Sequence, residues 1–148
     1  MRRLLEVGSI STIALAAFFG TPGSAEGQGV YSGKQVAVDI RCLDGNGVSF
    51  SITPWAAKLA PGDTIAWVLN QDAGVSEITI TSKQTGWPFT AAPPYKGNAA
   101  TAAKAKGMKS SVKAGDKYSY NVTAGCVRAD GTTSKIIVDP DIIIIPGN

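Results

Sequence analysis

Seven short stretches of this chain have the character of β-strands, most of them with alternating apolar and polar residues, and turn residues separate many of those stretches. In the stretch QVAVDIRCL at 35–43, every second residue is apolar, which is the period of a strand with one buried face. The alanine-rich stretch 99–110 lacks large apolar residues at helical spacing and is at best a marginal helix. The pattern predicts an all-β fold, either a sandwich or a partly closed barrel. The other strand-like stretches lie at 48–54, 61–70, 75–82, 117–123, 134–140 and 141–146.

The first two stretches are joined by the sequence DGNG at 44–47, which contains two dipeptides favoured in tight hairpin turns. We therefore expect 35–43 and 48–54 to form a β-hairpin. One face of this hairpin should be buried, because its apolar residues recur at every second position. The residues expected on that face are Val36, Val38, Ile40, Cys42, Val48, Phe50 and Ile52.

The N-terminal residues have the three parts of a secretory signal peptide. Arg2 and Arg3 give a positive start, an apolar run covers 10–19, and small residues lead to a cleavage position after Ala25. A transmembrane anchor is the alternative, but the run is shorter than the roughly 20 apolar residues that span a bilayer. We expect residues 1–25 to be removed and residues 26–148 to form one domain that is not membrane-spanning. This domain should be extracytoplasmic, whether periplasmic, cell-surface or secreted.

The chain contains two cysteines, Cys42 and Cys126. An exported protein meets an oxidising environment, where an even number of cysteines usually pairs. We therefore predict a structural disulfide between them. A redox-active dithiol is the alternative, but such pairs normally use the close spacing C-x-x-C and an electropositive site.

The longest connection between strand-like stretches runs from 86 to 114 and contains three prolines. Connections of this length are uncommon in compact domains and tend to be functional or disordered. The neighbourhood of this segment is also strongly basic, since residues 83–115 hold six lysines and no acidic residue. The rest of 26–148 holds six basic and ten acidic residues, so the sequence predicts a basic loop on an acidic body.

A basic loop of this kind favours an anionic partner, such as anionic lipid, acidic polysaccharide or an acidic protein face. The near balance of charge over the whole domain does not indicate specific nucleic-acid binding. The alternative is a solvated loop whose lysines keep it soluble. Trp87 and Phe89 could stack on sugars or could plug the loop into the end of the sandwich. The candidate contact residues are Tyr95, Lys96, Lys104, Lys106, Lys109 and Lys113.

Two segments together resemble the cupredoxin family, the plastocyanin and azurin type of sandwich. The first is PGDTIAWVLNQDAGVSEITI at 61–80, and the second is GDKYSYNVTAGC at 115–126 with its following loop and the strand KIIV. They stand in the order that the family has. The resemblance implies a cupredoxin-like Greek-key β-sandwich with 86–114 as one long loop insertion, and it aligns Cys126 with the copper-binding cysteine of the family.

The copper ligands of that family are otherwise missing. A blue-copper site needs a thiolate and two imidazoles, and this sequence contains no histidine. Ser76 or Glu77 stands where the first imidazole would fall, and the loop after Cys126 offers no second one. We therefore expect no metal and no cofactor. The resemblance suggests that Cys126 follows a small irregular turn at 124–125 and is consumed by the disulfide.

The sequence also offers no recognisable catalytic arrangement. Without histidine, the usual activation of a serine or cysteine nucleophile is absent. Many of the aspartates stand beside glycine or in polar turns, where the side chain serves the backbone. The sequence therefore predicts a non-enzymatic, exported binding or structural module of cupredoxin-like type. The alternative is a metal-binding or electron-transfer protein of that family with a non-standard site.

Overall fold

The computed structural model describes residues 33–43, 47–70 and 74–147. The predicted signal peptide, residues 44–46 of the DGNG sequence and residues 71–73 lie outside these residues. The described part of the chain contains ten strands and no helix, which confirms the all-β prediction. The strands are β1 (Lys34–Cys42), β2 (Val48–Thr53), β3 (Ala56–Leu59), β4 (Ile65–Leu69), β5 (Val75–Ser82), β6 (Tyr95–Gly97), β7 (Ala103–Ala105), β8 (Lys117–Val127), β9 (Thr133–Val138) and β10 (Asp141–Ile144).

The strands form two mixed sheets whose buried faces share one core, as in a β-sandwich. The four-stranded sheet has the order β2-β1-β4-β7, and the six-stranded sheet has the order β3-β10-β8-β5-β6 with β9 paired to β8. The pairs β1–β4 and β3–β10 are parallel, and the other pairs are antiparallel.

The alternation of β1 predicts its burial correctly. Val36, Val38 and Ile40 have no exposed surface, whereas the residues between them are partly accessible. β4 differs, because all five of its residues are buried. This strand lies between β1 and β7 within the sheet, and all five of its residues are apolar, which is typical of a strand buried on both faces.

The predicted hairpin of β1 and β2 is confirmed, but Phe50 is not buried. Phe50 pairs with Ile40 on the inner face of the sheet, yet 48% of it is exposed. β2 is the edge of the four-stranded sheet, so the core covers Ile52 but leaves Phe50 open. The alternation correctly predicts the face of this strand and overestimates its burial.

β8 continues through the position where we expected an irregular turn. Ala124 and Cys126 are buried in step with Tyr120 and Val122, so the strand alternation is unbroken. The reason is that β8 is paired on both sides there, with β5 and with β9. The irregularity lies instead in β5, between Val75 and Ile78.

The disulfide between Cys42 and Cys126 is present, with the two Cα atoms 5.6 Å apart. It joins the end of β1 to the end of β8 and therefore links the two sheets. This confirms the predicted pairing.

The segment 86–114 is part of the fold and not an inserted loop, which corrects that prediction. It contributes β6 and β7, and its stretch 99–110 contains β7 and no helix. Phe89 is 1% exposed and pairs with Met108 through an isolated bridge, which closes the two ends of the segment on each other. Trp87 is also buried, so these aromatic rings plug the sandwich and are not open to a sugar. In β7 the order Ala-Lys-Ala follows the strand period, so packing overrides the helix propensity of alanine.

β6 and β7 connect the two sheets along one side. β6 pairs with β5 of the six-stranded sheet, and β7 pairs with β4 of the four-stranded sheet. Between them, Asn98 and Thr101 exchange backbone hydrogen bonds across a tight turn. A Cβ atom on Gly97 would lie 2.4 Å from the backbone nitrogen of Ala103, so the close approach of β6 and β7 requires glycine there.

Candidate functional site

An aromatic cluster fixes the position of Tyr95, one of the predicted contact residues. Tyr95 stacks on Trp67 with ring centroids 5.9 Å apart, and its hydroxyl accepts a 2.8 Å hydrogen bond from the indole N–H of Trp87. The same hydroxyl donates to the carbonyl of Ala91. Burial raises the pKa of Tyr95, although the Trp87 hydrogen bond acts in the opposite direction. The Tyr95 ring is therefore part of the side wall of the sandwich, and its hydroxyl is already engaged.

Two polar atoms lie at the centre of this cluster, the Tyr120 hydroxyl and the Trp67 indole nitrogen. Both are buried, and neither meets hydrogen-bond geometry with any described residue. Burial raises the pKa of Tyr120 far above its usual range, and the nearby Trp67 N–H lowers it in part. Tyr120 therefore stays protonated and acts as a core residue at physiological pH.

Lys96 lies at the middle of β6 and does not join the other predicted lysines. Its ammonium group forms a 2.9 Å ion pair with Glu77 of β5. The two side chains are 63% and 48% exposed, so this pair contributes little stability but neutralises the local charge.

Lys104 and Lys106 lie beside a shallow cleft of about 300 Å³ in the four-stranded sheet. Lys104 is exposed between two buried alanines, so its side chain projects from the outer face of β7. The cleft is concave because the residues next to these lysines are small. A Cβ atom on Gly33 would lie 2.2 Å from the Thr64 hydroxyl oxygen, and Ala66 pairs with Lys104 across the strands.

A third lysine at this cleft, Lys34, was not among the predicted contacts. Lys34 begins β1, where it pairs with Ile65 of β4, and Ile65 pairs in turn with Ala105 of β7. The parallel pairing of β1 with β4 thus brings residue 34 beside residues 104–106. The sequence holds no signal for this, because Lys34 lies 70 positions before Lys104.

Lys109 and Lys113 are exposed on the chain between β7 and β8. The backbone N–H of Lys109 donates to the carbonyl of Pro88 at 2.8 Å. The backbone N–H of Lys113 donates to the Asp116 carboxylate, also at 2.8 Å. Their backbones are held in place, and within the described chain neither ammonium group forms an ion pair.

The disulfide lies beside a second cleft, of about 270 Å³, which Val48, Val127 and Ser134 also line. The resemblance to cupredoxins would place a copper site at Cys126, and the residues present do not fit one. The sulfur of Cys126 is bonded to Cys42, and the Glu77 carboxylate faces Lys96. The chain has no histidine to supply imidazole. Within residues 33–43, 47–70 and 74–147, no three His, Cys, Asp or Glu side chains are grouped to hold a metal ion.

Searches with protein-family models and against curated proteins returned no match to this chain. Across the part of the chain that the structure describes, no helix has the length and apolarity needed to cross a membrane. We call the depression lined by Gly33, Lys34, Thr64, Ala66, Lys104 and Lys106 the lysine cleft.

Proposed function

We propose that this protein is an extracytoplasmic, non-enzymatic binding module without metal, and that it contacts an anionic polymer at the lysine cleft. The two mixed sheets and the pairing of β8 with β9 around Cys126 are compatible with a cupredoxin-like Greek-key sandwich, which we propose as its fold type. In this proposal the disulfide replaces the copper thiolate as the link between the sheets.

The observation that carries the proposal is the meeting of three lysines from two distant segments around one cleft. Lys34 comes from the start of β1, whereas Lys104 is the middle residue of β7 and Lys106 follows that strand directly. Side chains at i and i+2 of a strand project from the same face, roughly 7 Å apart. A ligand lying along β7 would meet two ammonium groups in succession, with small residues below it.

An acidic polysaccharide fits this cleft better than a lipid surface does. A bilayer interface binds best to lysines combined with exposed apolar side chains that enter it. The large exposed apolar residues of the described chain are Leu43, Phe50, Trp55, Val127 and Ile137, and none of them lines the lysine cleft. A sugar chain needs no such anchor, because it can lie in a shallow groove and place carboxylates beside ammonium groups.

The test is binding of the protein lacking residues 1–25 to polygalacturonate at low and high salt. The double variant Lys104→Gln/Lys106→Gln should bind about 30-fold more weakly, since an exposed lysine near an anionic surface contributes about 1 kcal/mol. High salt should abolish wild-type binding, because these charges are exposed. The matched control is Lys58→Gln/Lys135→Gln, which removes the same charge from exposed strand lysines elsewhere and should bind as the wild type does.

An equal loss in both double variants would show that net charge and not the cleft drives binding, and would overturn the proposal. Binding to phosphatidylglycerol vesicles without binding to polygalacturonate would overturn the polysaccharide assignment. Binding to neither probe would remove the proposed function altogether.

A further inference from the structure

Sheet edges in the described part of the chain differ in how they are protected. Five strands pair on one side only, namely β2, β3, β6, β7 and β9. A strand edge exposes unpaired backbone N–H and C=O groups, and proteins commonly place a lysine there to prevent pairing with another chain. Four of these strands carry such a lysine, and β2 carries no charged residue. The four are Lys58 in β3, Lys96 in β6, Lys104 in β7 and Lys135 in β9.

β2 also exposes an aromatic side chain that belongs by register to the inner face. Phe50 pairs with Ile40, which is fully buried, and yet 48% of Phe50 is accessible. The neighbouring inner-face residue Ile52 is 6% exposed. The unprotected edge and the uncovered ring are therefore parts of the same strand.

The sequence of β2 is self-complementary when two copies run antiparallel. With Phe50 at a two-fold axis, Val48 stands opposite Ile52 of the second copy, and Ser49 stands opposite Ser51 of the second copy. Apolar residues then meet apolar ones on the inner face, and hydroxyls meet hydroxyls on the outer face. The strand sequence VSFSIT brings no charge into this register, so pairing meets no like-charge repulsion between β2 strands.

We propose that β2 is a self-association edge, and that two copies of this chain pair through β2 as a two-fold symmetric dimer. The pairing joins the two four-stranded sheets into one sheet of eight strands and packs the two Phe50 rings against each other. The contact is small, because six residues of each copy form its strand pair. Interfaces of this size are at the weak end of protein association, so we expect a dissociation constant on the order of 100 µM.

The experiment is sedimentation equilibrium of the protein lacking residues 1–25, from about 10 µM to about 1 mM, a range that brackets the expected constant. The wild type should shift from monomer to dimer across this range. Phe50→Lys should remain monomeric, because it places two ammonium groups at the two-fold axis. Ser51→Lys should weaken the dimer at least tenfold, because it gives β2 the lysine that the other four edges have.

Ile137→Lys is the matched control, since Ile137 is 52% exposed on the edge strand β9. This variant should dimerise as the wild type does.

The Ser51→Lys variant should remain folded. Ser51 pairs with Asp39 across the strands, so a lysine at position 51 gains a carboxylate neighbour, and circular dichroism should show the same fold as in the wild type.

A wild type that stays monomeric at the highest concentration would overturn the proposal. The β2 edge would then be covered by residues of the same chain or by a different protein. A dimer that Ile137→Lys abolishes and Phe50→Lys leaves intact would also overturn it. The lysine cleft takes no part in this argument, so failure of polygalacturonate binding leaves the dimer prediction unaffected.

Discussion

Replacement of Phe89 by alanine tests whether the segment 86–114 belongs to the cooperative core. Phe89 is 1% exposed and lies in the same core cluster as Trp87 and Ala105. Burying a phenylalanine side chain contributes about 1.5–3 kcal/mol, and the cavity left by its removal raises the cost of Phe→Ala to about 3–5 kcal/mol. If the segment were a solvated loop, the same substitution would change the unfolding free energy very little.

Phe50→Ala is the matched control, because the residue type is the same and 48% of the side chain is exposed. About half of the transfer free energy is then lost and no closed cavity forms, so Phe50→Ala should lower the unfolding free energy by about 1 kcal/mol. The measurement is urea unfolding at a few micromolar protein, where the proposed dimer is dissociated. Equal losses in the two variants, or a Phe89→Ala loss below about 1.5 kcal/mol, would refute the assignment of 86–114 to the core.

Two further changes test the disulfide and the charges around β10. The double variant Cys42→Ser/Cys126→Ser should lose about 4.5 kcal/mol of unfolding free energy, because the disulfide closes a separation of 84 residues, and urea unfolding should show this loss together with a larger m-value, since the unfolded chain without the crosslink exposes more surface. Burial alone would raise the pKa of Asp141, but the hydrogen bonds from Lys117 and Ser119 outweigh it and lower that pKa. The wild type should therefore exceed Asp141→Asn in unfolding free energy above the unfolded-state pKa of 3.8, and the difference should vanish as the pH falls through the still lower folded-state pKa. A difference that grows on acidification would contradict the assignment.

Alternation of apolar and polar residues predicts burial well in strands that pack against the core on one face only. β5 is an example, since Ile78 and Ile80 are buried and Thr79 between them is partly accessible. The disulfide could also be predicted, because a predicted signal peptide and an even cysteine count suffice for two cysteines. These features depend on local pattern or on general chemistry, and both can be read from one sequence.

The features that the sequence did not predict depend on long-range pairing. β3 is four residues long and carries no strong alternation, and it is a strand because it pairs in parallel with β10. The crossing of β6 and β7 between the sheets needs Gly97 at the point where the two chains approach each other. Lys34 joins Lys104 and Lys106 for the same reason, since the pairing of β1 with β4 brings these residues together.

The count of lysines along the sequence overstates the positive field of the segment 83–115, because two of them meet carboxylates from outside it. Lys83 lies 2.8 Å from Asp139, and Lys96 lies 2.9 Å from Glu77. Exposed ion pairs contribute about 1 kcal/mol or less to stability, but at these distances each cancels the charge that a distant ligand would feel. Of the six lysines, the remaining four all lie between 104 and 113, on the side where Lys34 is added. Substitution of Lys96 should therefore leave any salt-dependent attraction of an anionic polymer almost unchanged, because Glu77 already offsets its charge.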